Sequence, residues 1–213
     1  RRTILRTLNE LEERGYVVEG DDGYQLSALG SHIYDQYRTF VDSILFDPDL
    51  TAFLGHLPAD LFSFPLERLA DSDVVLAQNG RSYAPLDRLL KLRSDASEIR
   101  ELAPGVERRS VQQVADRIAD GEAFTMEIVL PEVAFAAAQS NSDYADHHAT
   151  IADSELVEFH VVPDDVEVSV CIADDTAALG IASEDGHAEG VCITDDPVVV
   201  EWADAYIDDF LER

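Results

Sequence analysis

Residues 3–30 read TILRTLNELEERGYVVEGDDGYQLSALG, and the local order of elements follows from this stretch. Ile4, Leu8 and Leu11 recur at spacings of four and three, with Leu5 widening the stripe, so residues 1–14 are expected to form a short amphipathic helix. Gly15 stands where a helix ends. Two β-prone runs, Tyr16–Glu19 and Tyr24–Ser27, flank the tip Gly20-Asp21-Asp22-Gly23, which is the pattern of a hairpin. Ser27 is placed to cap a second helix lined by Leu29, Ile33, Tyr37, Phe40 and Ile44, and Asp47-Pro48 ends it.

Helix, glycine, hairpin and helix in this order make the second half of a winged helix-turn-helix. Such a recognition helix buries one face against earlier helices, and Ile4, Leu5, Leu8 and Leu11 supply that face. Its N-terminal side must offer donors to a DNA major groove, and Arg1, Arg2, Thr3 and Arg6 stand there; Tyr24, in the wing, is a further candidate DNA contact. A helix N-terminus also favours phosphate. The chain starts at Arg1 with no Met and no apolar signal core, so it is expected to begin inside a longer protein. The aromatic residues Tyr34, Tyr37 and Phe40 of the second helix suit pairing with a twin in a dimer or packing on the chain's own second domain.

Charge separates this segment from the rest. The chain carries 44 acidic and 15 basic residues in 213, a net of −29, and its only lysine is Lys91. Residues 1–46 hold eight acids and five bases, a net of −3, so residues 47–213 account for the remaining −26. Self-repulsion of that size opposes compaction near neutral pH. At molar salt the Debye length falls to about 3 Å and a dense carboxylate surface becomes tolerable. The composition therefore points to a salt-rich cytoplasm. Asp21 and Asp22 at the wing tip run against phosphate contact, unless the tip stays off the backbone or cations bridge it.

The expected organisation is a partial winged helix-turn-helix over 1–48 followed by an α/β domain over 49–213, a mixed sheet flanked by helices and hence an α+β chain. Short helical pieces are expected over 50–69, a strand over 72–78, helices over 85–102 and 110–120, a strand over 124–130 and a helix over 131–139. Residues 140–154 read as a loop or weak helix. Strands follow at 156–162, 166–173, 177–182 and 190–193, and a helix closes the chain from about 196 to 212. The apolar fraction of 46% suffices for a core, and no run reaches the roughly 20 residues of a membrane span. Cys171 and Cys192 lie in apolar stretches and read as reduced core residues, not a disulfide.

Arg81, Arg88, Arg93, Arg100, Arg108 and Arg109 are cations in a region otherwise poor in them. Arg81, Arg93 and Arg100 are candidate ligands for a small anionic metabolite, since guanidinium forks match carboxylate and phosphate. The other reading is a salt-bridged helix surface. Asp143, Asp146, His147 and His148, with His160 further on, could hold a divalent metal or simply be a solvated loop; no metal and no cofactor are expected. His187 reads as a turn residue. There is no Gly-x-Ser-x-Gly elbow, no phosphate loop and no His-Glu-x-x-His helix, and Leu89 stands two before Lys91 where His-x-Lys phosphodiesterase chemistry needs histidine. No catalytic residue is assigned, and the chain is not expected to be an enzyme.

Residues 3–30 resemble the recognition helix and wing of archaeal winged-helix regulators. The remainder resembles the sensor domain of methanogenesis-type regulators, which are abundant in haloarchaea. The residues carrying it are Phe53-Leu54, Leu57-Pro58, Pro65-Leu66, Leu69, Ala84-Pro85-Leu86, Leu179-Gly180, Glu184-Asp185-Gly186 and Thr194-Asp195-Asp196-Pro197 leading to Glu201-Trp202. The resemblance implies a cytoplasmic, usually dimeric transcription factor acting on double-stranded DNA, whose second domain senses a small molecule or mediates assembly. It names no effector. The alternative function is a metabolite-binding or enzymatic α/β protein whose winged helix is an interaction module that does not bind DNA.

Overall fold

The computed structural model describes residues 2–20, 23–44, 47–78, 80–140, 145–163, 166–183 and 187–212. It divides into two compact units, Arg1–Phe46 and Asp47–Arg213.

In the first unit, helix α1 (Arg2–Glu13) ends through Gly15, whose φ of 75° is a conformation glycine adopts freely. Strands β1 (Val17–Gly20) and β2 (Gly23–Leu26) pair antiparallel with Val17 opposite Leu26 and Gly20 opposite Gly23. Helix α2 (Ala28–Ile44) follows. One serine ties these parts together. The Ser27 hydroxyl donates to the Gly15 carbonyl at 2.5 Å and accepts the Gly30 N–H at 2.9 Å, while the Ser27 N–H donates to the Tyr16 carbonyl at 3.0 Å. α2 is thus capped, and its first turn is fixed against the end of α1. Gly30 allows the approach, because a Cβ there would lie 1.8 Å from the Tyr16 carbonyl oxygen.

The second unit is a helix–sheet–helix sandwich. Its elements are α3 (Pro48–Leu54), a 3₁₀ turn at Leu66–Leu69, β3 (Asp73–Leu76), α4 (Ala84–Ser94), β4 (Glu98–Leu102), α5 (Arg108–Ala119), β5 (Thr125–Pro131), α6 (Glu132–Ser140), α7 (Ala145–Ala152), β6 (Val157–Val162), β7 (Ser169–Ala173), β8 (Thr176–Ala182), β9 (Ala188–Thr194) and α8 (Pro197–Leu211). The strand order is β3-β9-β8-β7-β4-β5-β6. β4, β5 and β6 run parallel, linked by α5 and by α6–α7, and the remaining pairs are antiparallel. Parallel strands need crossover helices, and here these lie with α4 over one face, where Ile99, Met126, Cys171, Ala178 and Val191 meet Val111, Val114, Ala115 and Ile151. The other face buries Leu102, Val129, Val170 and Leu179 beneath Val199, Ala203 and Ile207 of α8, all fully enclosed. Phe62, Phe64, Trp202, Tyr206 and Phe210 form a chain of ring contacts, from 4.9 to 5.4 Å between centroids, that holds the segment before the 3₁₀ turn against α8.

Two expected elements are corrected. The helix read over 85–102 stops at Ser94, and Glu98–Leu102 is a central strand. The helix end is satisfied by Arg117, whose guanidinium donates to the carbonyls of Arg93 and Ala96 at 2.7 and 2.8 Å. Residues 140–154, read as a loop or weak helix, contain α7, which packs on α5 and buries Ile151. The strand read over 166–173 is confined to Ser169–Ala173. Among the described residues no helix is long and apolar enough to cross a membrane.

Candidate functional site

The first candidate surface is α1. Its charges run against its own dipole: Arg2 and Arg6 stand in the N-terminal half, Glu10, Glu12 and Glu13 in the C-terminal half, with no acid in the first turn and no base in the last. Arg6 is exposed and reaches Glu10 at 3.7 Å. The Tyr24 hydroxyl donates to the side-chain amide oxygen of Asn9 at 3.4 Å, which joins wing to helix. Arg2 and Thr3 begin α1. Their side chains, with Arg1 and the tip residues Asp21 and Asp22, lie outside the described residues. Ile4 and Leu5, read as part of the face that packs against earlier helices of a reader, are 64% and 55% exposed. Leu8 and Leu11 are half-buried.

The second candidate site is a cavity of about 350 Å³ on the α4–α5 side of the sheet, at the C-terminal ends of β4, β5 and β8. It exists because the facing positions are small. Ala103, Ser169, Gly180 and Ala188 stand where large side chains would fill the space, and a Cβ on Gly180 would meet the Ser169 Cβ at 3.1 Å. Leu89, Val111, Val114, Met126, Ile128 and Phe159 make the remaining wall largely apolar.

One buried ion pair interrupts that wall. Arg93, in the last turn of α4, and Glu101, on β4, have side chains only 2% and 9% exposed and meet at 2.5 Å through Nη1 and Oε2. Arg93 also donates from Nε and Nη2 to the Gln113 amide oxygen at 3.2 and 3.0 Å, and from Nη2 to the Ser110 carbonyl at 3.5 Å. Gln113 is fixed in turn by donating to the Leu90 carbonyl at 2.6 Å. Glu107 caps α5 by accepting the N–H groups of Arg109 and Ser110 at 2.6 and 3.2 Å, so the anion position at that helix start is filled by the chain's own carboxylate.

Arg81, Arg93 and Arg100 are not brought together. Arg93 lines the cavity; Arg81 and Arg100 do not. Arg81 is exposed in the turn before α4. Arg100 points to the α8 side of the sheet, where it pairs with Glu127 at 2.6 Å, Asp208 at 2.7 Å and Asp204. Desolvation works against its charge, but the bonds it donates to Asp208, Glu127 and Asp204 outweigh it and hold the guanidinium above its ordinary pKa. Arg88 pairs with Asp73 and Arg109 with Asp87, each at 2.7 Å, so several of these arginines sit in a salt-bridged surface.

Among the described residues no group of three or more His, Cys, Asp or Glu is placed to hold a metal. Asp143 and the side chains of Asp146 and His148 lie outside the described residues, and His147 is on α7. His160 is on β6, its Nε2 3.2 Å from Glu127. His187 is exposed, and its N–H donates to the Ser183 hydroxyl at 3.2 Å. Cys171 and Cys192 are both free and buried. Burial pushes their thiols up, Cys192 to about 11 and Cys171 further.

A family model, "Methanogenesis regulatory protein FilR1, middle domain", matches residues 82–213, well over half of the chain and the part that builds the cavity. The chain belongs to this family. A comparison with curated proteins finds no match. Among solved structures, TrmBL2, described as an archaeal chromatin protein with a novel mode of DNA binding, is 14% identical over 98% of this chain and 80% of its own, with a TM-score of 0.48. NucT from Helicobacter pylori is 16% identical over 67% of this chain and 96% of its own, with a TM-score of 0.52. The polyphosphate kinase of Porphyromonas gingivalis is 13% identical over 76% of this chain and 30% of its own, with a TM-score of 0.41. At these identities the likeness to NucT is one of fold. Glu101 and the cavity escaped the sequence reading, because the small residues that open it come from strands far apart in the chain.

Proposed function

We propose that this member of the family is a transcription regulator that binds double-stranded DNA through α1 and the hairpin, with the cavity of the second unit taking a small molecule. In this reading α1 is the recognition helix of a winged helix-turn-helix, Arg1, Arg2, Thr3 and Arg6 contact DNA, and Tyr24 braces the wing. The observation that carries it is the inverted charge of α1. Cations at a helix N-terminus and acids at its C-terminus each cost about 0.3–1 kcal/mol, and phosphate at the N-terminal end reverses the first of these costs. The units share the chain unequally in charge, −3 against −26, so the acidic surface is lightest where DNA would lie.

The test is Arg6→Ala in the full-length protein, titrated with operator DNA in rising KCl. Loss of one phosphate contact reduces the salt slope by about 1, and loss of a base contact costs about 1–3 kcal/mol. Unchanged affinity and slope would remove Arg6 from the interface. A second reading, an α/β metabolite-binding protein whose winged helix binds protein, is favoured by the exposure of Ile4 and Leu5 beside Arg6. Apolar docking there would persist or strengthen as salt rises, whereas phosphate contacts weaken.

A cytoplasmic, salt-loaded setting and a homodimer belong to the same proposal. α2 leaves Ile33, Tyr34 and Tyr37 exposed, and a twofold pair of readers matches palindromic DNA.

A further inference from the structure

We infer that the cavity selects a small molecule with an apolar body and a hydrogen-bond-donating, preferably cationic, head, and discriminates against carboxylates and phosphates. This rests on reading the cavity as a ligand site and adds to it the class of ligand. The volume of about 350 Å³ is at the small end of ligand sites, and the wall is mostly aliphatic and aromatic, so the body must be compact and apolar.

The head is decided by the charged groups that reach the cavity. Among the described residues these belong to Arg93, Glu101, Glu107 and Glu167, with Glu107 half-buried and Glu167 exposed. Arg93 is already engaged by Glu101, by the Gln113 amide oxygen and by the Ser110 carbonyl. A ligand anion reaching for it would stand beside the Glu101 carboxylate in a largely apolar cleft, where charges are screened less than in bulk water. The other place for an anion, the start of α5, is occupied by Glu107. Glu101 is different. Its Oε2 accepts from Arg93, whereas its Oε1 makes no hydrogen bond to a described residue and is not sealed within the protein, so a ligand in the cavity can reach it. That oxygen is an acceptor waiting for a donor. An ammonium placed there gains an ion pair together with a hydrogen bond, a hydroxyl gains the hydrogen bond alone, and a carboxylate meets repulsion. Salt does not erase the preference, since even a short Debye length leaves contact pairs inside a cavity largely unscreened.

The experiment compares three probes with one body, hexylamine, 1-hexanol and hexanoate, by calorimetric titration of the whole chain in molar KCl at neutral pH. The expected order is amine, then alcohol, then carboxylate, with the amine binding about tenfold or more tighter than the carboxylate. Glu101→Gln should bring amine and alcohol to within about threefold of each other while the alcohol is held as before. Ala103→Leu, which narrows the cavity and leaves the ion pair intact, should weaken all three. Hexanoate binding tightest, or an amine preference that survives in folded Glu101→Gln, overturns the inference and leaves the cavity as a ligand site of another class. No saturable binding of any probe, or binding that Ala103→Leu does not change, overturns the ligand-site reading itself. Should Glu101→Gln fail to fold, the order measured on the unaltered protein decides.

Discussion

Arg93→Met removes a guanidinium from the interior while keeping most of the stem that packs there. Three consequences can be read from the geometry. The bond to Glu101 at 2.5 Å is lost, the Gln113 amide oxygen loses both donors, and the Ser110 carbonyl loses a long one. The dominant cost is the carboxylate left behind, because Glu101 is 7% exposed and no other cation among the described residues lines the cavity. Breaking one side of a buried pair costs about 3–5 kcal/mol, and an unpaired amide oxygen adds about 1 kcal/mol. A loss of about 4 kcal/mol is therefore expected, a large share of the roughly 5–15 kcal/mol that stabilises a typical domain. Urea unfolding followed by far-ultraviolet circular dichroism, at fixed molar KCl, reads this as a midpoint lowered by about 2 M for a slope near 2 kcal/mol/M. The double variant Arg93→Met/Glu101→Leu removes the stranded charge as well and should recover most of the loss, since apolar replacement of a whole buried pair is often neutral or better. A loss under about 1 kcal/mol for the single variant, or a double variant no more stable than the single, would refute the view that Glu101 depends on Arg93.

Other outcomes follow from local geometry. Gly30→Ala drives a Cβ into the Tyr16 carbonyl, backbone against backbone, so the first unit should lose about 1–3 kcal/mol despite the roughly 1 kcal/mol that alanine gains in a helix, measured by hydrogen exchange in β1 and β2. Asp174, at φ 51°, accepts N–H bonds from Glu98 and Ser97 at 3.0 and 3.1 Å. The Glu98 N–H leads in holding its carboxyl below the usual range, partly opposed by desolvation, with Ser97 next. A depressed folded-state pKa means the stabilisation is complete above the unfolded value of about 3.9 and is lost as pH falls through the folded one. Asp174→Asn, which tolerates the same backbone, should therefore melt below the unaltered protein at neutral pH and converge with it in acid. The gap should stay under about 1 kcal/mol because the group is exposed. Iodoacetamide should label Cys171 and Cys192 at mildly alkaline pH only at the rate of global opening, since the thiolate is scarce and buried; rapid labelling of the folded protein would contradict this.

The parts of the fold legible in the sequence are those where local chemistry and tertiary structure agree. Gly15, the Gly20–Gly23 tip and Ser27 announce their roles within a few residues of each other, and the closing strands are separated by acidic turns. β4 was hidden because Glu98-Ile99-Arg100-Glu101-Leu102 alternates charges that suit a helix surface. In the sheet Arg100 and Glu101 point to opposite faces, and each is paired with residues from other elements, Asp204 and Asp208 in one case and Arg93 in the other. Such pairing is non-local, so no window of sequence displays it. For the same reason Arg93 and Arg100 looked like equivalent anion ligands, although one lines the cavity and the other is held by carboxylates across the sheet.

Trp202 is the chain's single tryptophan, and it lies among Phe62, Phe64 and Tyr206 on the side of the sheet away from the cavity. Its fluorescence is therefore a built-in optical gauge of one place, the seat of the irregular segment on α8. A molecule entering the cavity should leave the emission maximum where it was. Peeling of that segment from α8 should shift it to the red before the sheet itself gives way.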